Sequence, residues 1–298
     1  MEKISISEEE LDSLIQKALQ EDVGERDITT QLLFPESVPA IGEIIAGEEG
    51  VLCGMEVAKR CFSLVDPGLR FLEWKKDGEE IEKGELILKI KGDGRSLLTA
   101  ERTALNFLSH LSGIATLTHK IVKKKRGNIE ILDTRKTTPG LRKLEKYAVK
   151  IGGGKNHRMG LYDMVLIKDN HLSLLDTDKL KAIEKALRRS LGKGYPVEIE
   201  VTSVEEAEVA VKNGAEIVML DNLKGKELLE AVKRVKEINP RVIVEVSGGI
   251  NLENFEEFNL PGVSWISMGI LTHSAPSLDF SLNVFPDEDR QIAVERRR

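Results

Sequence analysis

Residues 133–171, DTRKTTPGLRKLEKYAVKIGGGKNHRMGLYDMVLIKDNH, hold nine Lys and Arg against four Asp and Glu, with two of the chain's five His. The chain as a whole carries a formal net charge of −6. A local excess of positive charge in an acidic chain is a field that gathers an anion, and bulk composition does not account for it. Placement matters as much as number. Arg135 and Lys136 follow a short apolar run, Lys155, His157 and Arg158 follow three glycines, and Lys168 and His171 close a second apolar run. Lysines on a solvated helix face come at four-residue spacing with acidic partners. These fall instead at strand ends and in a glycine loop, where binding and catalysis concentrate.

Something regular must position them. After Asn128 six apolar runs (IEILDT, DMVLIKD, PVEIEVT, EIVMLDN, RVIVEVSGG, SWISMGI) alternate with helical stretches such as LRKLEKYAVKI, DTDKLKAIEKALRRSL, SVEEAEVAVKNG and GKELLEAVKRVKEI. Repeated β-then-α units predict a parallel sheet covered by helices. The expected fold class is α/β, with a C-terminal α/β barrel of six or more parallel strands. A barrel is preferred to a doubly wound sheet because every strand ends in polar groups, not only those at one switch point. Asp133 with Arg135 and Lys136, Lys168, Glu200, Asp221 with Asn222, Ser247 with Gly248 and Gly249, and Gly269 all sit at or just past a strand's C-terminal end.

Strand alternation adds direction. In PVEIEVT, Val197, Ile199 and Val201 share one face, and Glu198 and Glu200 the other. In RVIVEVS the valines oppose Glu245 and Ser247. A carboxylate turned toward the helix layer would be buried without a partner, at considerable cost. These acids are therefore expected in the lumen, facing the basic groups. For Glu198 and Glu245 an ion-pair plug holding the barrel is an alternative role, and for Glu200 and Asp221, nearest the mouth, less so. SGG after the fifth strand and MG after the sixth place small residues where backbone amides can approach a phosphate.

The chain has 298 residues, 41% of them hydrophobic, enough for two domains with full cores. Aromatics are only 4%, so those cores must be Ile, Val and Leu. No apolar run spans a bilayer, and the start MEKISISEEELD lacks the basic-then-apolar order of a signal peptide. Cys53 and Cys61 have no His or Cys cluster about them, so neither a disulfide framework nor a zinc site is expected, and a cytoplasmic location fits.

Ser7-Glu8-Glu9-Glu10 predicts a capped helix ending near Gly24, followed by EDVGERDITT as an acidic turn. Short runs between residues 40 and 90 predict a small sheet with a helix near 56–65. Its DGEEIEKGELILKIKG piece resembles carrier-domain sandwiches, without the lysine in a tight turn that carriers modify. Residues 99–125 predict a long helix with a core stripe of Ala104, Leu105, Leu108, Leu111 and Ala115. Arg102 falls in its first turn, off that stripe, and a solvated Arg is the plain reading. His110 and His119 read as surface or packed residues. LDFSLNV predicts a strand that returns to the first domain's sheet, and DEDRQIAVERRR a frayed tail. The expected division is 1–115 plus a C-terminal strand at 276–290 for the first domain, and 116–275 for the barrel.

The stretch from DTRKTTPG through GGGKNHR to IKDNH resembles the signature of the quinolinate phosphoribosyltransferases, also called nicotinate-nucleotide pyrophosphorylases (carboxylating). The likeness continues in EDVGERDITT, AERTALNFLSHLSGIATLT, VEIEV, MLDN, VSGGI and MGILTHSAPSLDFSL, nearly the whole chain. It implies an N-terminal open α/β sandwich, a C-terminal α/β barrel and one reaction of NAD biosynthesis. In it quinolinate and phosphoribosyl pyrophosphate give nicotinate mononucleotide, pyrophosphate and carbon dioxide, with Mg2+. It also implies a homodimer with shared active sites, or a hexamer of dimers, and no nucleic-acid or membrane partner.

Carried over by position, the resemblance implies that Arg135, Arg158 and Lys168, with His157, hold quinolinate, and that Arg102 reaches this pocket from the neighbouring subunit. Lys136 and Thr134 are implied to face the donor's pyrophosphate. Glu200 and Asp221 would meet the ribose hydroxyls and Mg2+, the metal indirectly through donor and water. Ser247, Gly248, Gly249 and Gly269 would take the 5′-phosphate, with His171 and His273 behind the substrate contacts. Lys136, Lys168, Glu200 and Asp221 are the expected catalytic set. Two rival readings are a Schiff-base aldolase using Lys168 and a non-catalytic anion-binding or carrier module.

Overall fold

The computed structural model describes residues 4–287. In chain order the elements are α1 (Glu8–Val23), α2 (Ile28–Leu33), β1 (Pro39–Ala46), β2 (Gly50–Val51), α3 (Met55–Val65), β3 (Arg70–Glu73), β4 (Glu80–Ile81), β5 (Leu86–Asp93) and α4 (Gly94–Lys124). There follow β6 (Glu130–Leu132), α5 (Arg142–Ile151), β7 (Val165–Ile167), α6 (Asp169–Leu175), α7 (Lys179–Ser190), β8 (Val197–Val201), α8 (Val204–Lys212) and β9 (Ile217–Asp221). The last are α9 (Gly225–Ile238), β10 (Ile243–Ser247), a 3-10 turn (Phe255–Phe258), β11 (Trp265–Ser267), α10 (Ile270–His273) and β12 (Phe280–Pro286).

Two compact units result. The first takes the chain through Leu117, Lys143–Gly152 and the stretch from Ala275 onward; the second takes Thr118–Arg142 and Gly153–Ser274. The expected division assigned all of residues 116–275 to the barrel, whereas α5 packs with the first unit from Lys143 on. Its buried face explains why: Leu144, Tyr147 and Ala148 are apolar, and Tyr147 Oη donates to Asp77 at 2.9 Å within that unit.

The first unit is built on an antiparallel sheet of order β12-β1-β5-β3, with β2 and β4 paired beside it. Alternate residues of β1 are buried (Ala40, Gly42, Ile44, Ala46), the period of a strand with one face on a core. The expected returning strand is β12, which pairs with β1 from Phe280 to Pro286. Gly113 of α4 lets the segment leading to it cross closely, since a Cβ there would lie 2.1 Å from Pro276 O. Cys53 and Cys61 are buried free thiols.

Local chemistry corrects several sequence expectations. EDVGERDITT is only partly a turn: Asp27 accepts the Thr30 N–H at 2.9 Å and opens α2 inside it. Asp93 likewise accepts the Arg95 N–H at 3.1 Å, so α4 begins at Gly94 and not near residue 99, and Arg102 stands past its first turn. A short helix, α6, follows β7 where none was expected. The anticipated tail lies, but for Asp287, outside the described residues.

The second unit is a six-stranded parallel sheet of order β6-β11-β10-β9-β8-β7. Chain order therefore runs round the sheet, with β6 and β7 as its two edges. In a flat sheet those edges would stand ~24 Å apart at the usual strand spacing. Residues at or just past the C-terminal ends of all six strands nonetheless line one cavity, so the sheet is curled into an α/β barrel. Lys155 adds a single parallel bridge to Leu132 on the free side of β6, so the glycine loop continues the sheet toward the seam.

Candidate active site

Register fixes which side chains enter the lumen. Residues paired across parallel strands share a face. Glu198 pairs with Ile217, Glu245 with Met219 and Ser247 with Asp221. The expected acids thus face inward in successive layers, and the Val and Ile residues between them pack outward under the helices. At the C-terminal ends these layers open into a cavity of about 860 Å³. Its wall includes Thr134, Arg135, Lys136, His157, Arg158, Lys168, Glu200, Asp221, Ser247, Gly248, Gly249, Gly269 and His273. All of the residues to which the resemblance gave a site role are there except two. Arg102 stands exposed on α4 in the first unit. His171 lies outside the wall on α6, where its Nδ1 accepts the Lys168 N–H at 2.9 Å and fixes the backbone that carries Lys168.

The cations are braced by the protein. Thr134 Oγ1 accepts the Lys136 N–H at 3.0 Å, and Thr272 Oγ1 donates to Lys136 O at 2.8 Å. Arg142 ties the loop after β6 to the loop before β7, donating to Thr137 Oγ1 at 2.9 Å, Met159 O at 3.2 Å and Arg135 O at 3.4 Å. Asp133, fully buried, accepts the His157 N–H at 2.9 Å and Asn156 Nδ2 at 2.6 Å, which anchors the NHR turn to the end of β6. Arg158 Nη1 donates to Met164 O at 3.1 Å. Burial, and then the neighbouring Arg135, pull Arg158 below the usual guanidinium value. Two guanidinium groups close enough to repel are a site awaiting negative charge.

Opposite them stand the acids. Glu200 Oε2 accepts Lys168 Nζ at 2.6 Å. Asp221 is raised above the ordinary carboxylate value by burial and by Glu200, with Asn222 Nδ2, at 2.6 Å, opposing the shift. These are hard oxygen donors that crowd one another, a set that suits Mg2+.

Deeper in the lumen His157 Nε2 lies 3.0 Å from Glu198 Oε2 and 3.4 Å from Glu245 Oε2, both glutamates fully buried. Burial works to lower the imidazole, but the two carboxylates override it and push it up to about 10. Glu198 is raised by burial first and by Glu245 second. The Arg158 N–H lies 2.7 Å from His157 Nδ1. The ring's Nε2–H points at the two carboxylates. These three groups could also meet a metal ion, their ligand atoms lying within 4.8 Å of one another. Here they form a buried ion-paired cluster, in which Glu198 Oε1 and Glu245 Oε1 have no hydrogen-bond partner.

Glycine geometry shapes the far wall. Gly248 has φ 104, and a Cβ on it would come within 2.3 Å of Asn222 Oδ1. A Cβ on Gly269 would lie 2.9 Å from Lys136 Cδ and 3.0 Å from His273 Cδ2. Asn222 itself has φ 60, a left-handed conformation that Asn tolerates better than most residues. Its N–H donates to Ser247 O at 2.9 Å, so it joins Asp221 to the SGG turn. Sequence reading noted Asn222 as a polar strand end without giving it a role. It assigned no role to Asn251 or Ser267, which also line the cavity.

Family models agree with this architecture. Residues 27–112 match the quinolinate phosphoribosyl transferase N-terminal domain, and residues 114–283 match the C-terminal domain. The chain belongs to the quinolinate phosphoribosyltransferase family. A Bacillus subtilis relative named probable nicotinate-nucleotide pyrophosphorylase (carboxylating) is 42% identical over 277 residues, 92% of this chain and 93% of its own. A Methanocaldococcus jannaschii relative of the same name is 43% identical over 281 residues, covering 91% and 96%. Among solved structures, NadC from Streptococcus pyogenes superposes with TM-score 0.87 at 40% identity, covering 95% of this chain and 99% of that one. The Francisella tularensis nicotinate-nucleotide pyrophosphorylase gives TM-score 0.85 at 37% identity, covering 96% and 100%. As a quinolinate phosphoribosyltransferase, a decarboxylating pentosyltransferase of NAD biosynthesis, the chain needs a site for a diacid beside an activated sugar phosphate.

Proposed function

We propose that this cavity is where phosphoribosyl transfer to quinolinate takes place, with the division of labour that its two sides indicate. Arg135, Arg158 and Lys168 bind the two carboxylates of quinolinate, with His157 forming the floor beside them. The observation that carries this reading is the repulsive pair Arg135 and Arg158 beside Lys168 in a single cavity wall. Guanidinium groups match carboxylates in plane and charge. His157 differs from a free ligand in that its ring nitrogens already face Glu198, Glu245 and the Arg158 N–H, so it orients Arg158 as much as it meets substrate.

Lys136 and Thr134 face the donor's pyrophosphate, and Ser247, Gly248, Gly249 and Gly269 receive the 5′-phosphate on backbone amides. Glu200 and Asp221 hold the ribose hydroxyls and, through donor and water, Mg2+. Mg2+ held there would supply charge neutralisation for the pyrophosphate. The ring nitrogen of quinolinate attacks the anomeric carbon as the bond to pyrophosphate breaks. Glu200 and Asp221 favour the positive charge that develops on the ribose. The ribosylated nitrogen is then cationic, and the adjacent carboxylate leaves as carbon dioxide. Its electron pair stays on the ring carbon beside that nitrogen and is taken up by a proton. The protein's part is to position and desolvate, while the substrate supplies the electron sink.

A homodimer in which Arg102 completes the diacid pocket of its partner, and a cytoplasmic location, belong to the same proposal. The buried free thiols Cys53 and Cys61 support the second point. No helix among the described residues is long and apolar enough to cross a membrane. The aldolase reading is disfavoured because Lys168 Nζ is engaged as a cation by Glu200 at 2.6 Å, unlike the desolvated amine of Schiff-base chemistry. The direct test is to mix the protein with quinolinate, phosphoribosyl pyrophosphate and Mg2+ and to measure pyrophosphate and carbon dioxide. Equal release of both is expected, lost when the metal is chelated. Tight binding of quinolinate without either product would sink the catalytic reading.

A further inference from the structure

Ser267 ends β11 and lines the catalytic cavity, yet no motif reading gives it a task. Its side chain is 2% exposed, and Oγ has no hydrogen-bond partner. A hydroxyl taken out of water without a partner is a standing cost to the fold. Other hydroxyls of this neighbourhood are used by the protein itself. Thr134 Oγ1 and Thr272 Oγ1 both bond to the Lys136 backbone. Among the buried side-chain hydroxyls of the described residues, Ser267 Oγ is the one left without a partner.

Its position gives the exception meaning. Ser267 pairs with Leu132 of β6 on one side. On the other, Glu245 pairs with Trp265 and Val246 with Ile266, so the next step sets Ser267 beside Ser247 of β10. The hydroxyl thus stands in the lumenal layer between two strands, one leading through Asp133 to Arg135 and the other into the Ser247-Gly248-Gly249 turn. Both neighbours belong to the anion-binding machinery, and a hydroxyl between them can turn its proton toward a bound anion.

We propose that Ser267 is a substrate-binding residue whose Oγ–H donates to an anionic oxygen, of either a quinolinate carboxylate or a donor phosphate. This rests on the functional reading above. The unmatched hydroxyl is then a stability cost accepted for binding, a pattern common at functional sites.

The test uses the full-length protein with Ser267→Ala and the near-isosteric Ser267→Cys, measuring kcat, KM for each substrate and Tm. For Ser267→Ala the KM for one substrate is expected to rise about tenfold, the effect of losing one hydrogen bond to a charged group, with kcat within about twofold. Its Tm should equal or exceed wild type, because a buried unpartnered group has been removed. The Cys variant should fall between, since a thiol donates weakly. Whichever KM moves identifies the anion. Unchanged KM values for both substrates in both variants would overturn the proposal. So would a lowered Tm, which would show the hydroxyl serving the fold. If Ser267→Ala does not fold, the Cys variant decides: a wild-type KM for both substrates counts against the proposal. Wild-type protein inactive with quinolinate would remove the functional reading and this one together, whereas an active wild type with indifferent variants removes only this one.

Discussion

The two sides of the cavity differ in what they offer an anion. Around the seam, the ends of β6 and β7 and the loop between them present long cationic side chains: Arg135, Lys136, Arg158 and Lys168. Across the lumen, the ends of β8 to β11 present short acids, turns of glycine and hydroxyls. The first side offers charge, and its side chains are braced by Asp133, Arg142 and His157. The second side works by the space its backbone leaves, as the close approach of Gly248 to Asn222 shows. A cationic wall is damaged by truncation, a glycine wall by addition.

Truncating the cations should give the largest effects. Arg158→Ala or Lys168→Ala each removes a charge-assisted hydrogen-bonding group, with an expected loss of about ten- to hundredfold in kcat/KM for quinolinate. Steady-state pyrophosphate release measures it, and a Lys168→Ala enzyme with wild-type rates would show that the cationic wall is not the diacid pocket. Adding one methyl to the other wall should come next. Gly248→Ala needs both a left-handed residue and room that Asn222 occupies, so a KM for the donor about tenfold higher is expected, with stability lowered by roughly 1–3 kcal/mol. A donor KM equal to wild type would mean that backbone shape does not set this wall.

Smaller still is the grip of Asn222 on Asp221. Asn222→Gly keeps the positive φ and loses the 2.6 Å contact. The donor KM should rise only about three- to tenfold, as for a modest hydrogen bond, while Tm stays near wild type. The smallest effect concerns stability alone. His157 is raised from 6.5 to about 10 in the folded protein, so its stabilising contribution is complete below pH 6.5 and is lost as pH rises through 10. Thermal melts should show Tm declining across that window, and His157→Asn should flatten the decline. A slope unaltered in that variant would place the alkaline loss elsewhere, for instance at the buried Cys61 thiol, pushed up to about 12.

Much of the site could be read from one chain because its residues obey local rules. Period-two alternation put Glu198, Glu200, Glu245 and Ser247 on one strand face, and the repeated β-then-α units put their strand ends at one mouth. Arg135, Lys136, Arg158 and Lys168 were conspicuous because cations at strand ends have no helical partners. What stayed hidden depends on neighbours far along the chain. His157 reads as a ligand until Glu198 and Glu245, forty and more residues away, are found against it. Ser267 reads as one more small strand residue, since only packing reveals a hydroxyl without a partner. Capping misled in the same way: Asp93 and Asp27 open helices through one side-chain oxygen each, below the resolution of any periodic pattern.

Sequence alone determined the order of the six parallel strands and the longer helices between them, the inward face of the acid-bearing strands and the sign of charge at each strand end. Those follow from backbone geometry and side-chain chemistry that every residue carries with it. Only the tertiary structure decided that α5 packs with the first unit, that the sheet curls until β6 and β7 share a cavity, and that His157 lies against both Glu198 and Glu245. Each of these is a balance of burial against pairing between distant residues, and that balance exists only once the chain has closed on itself.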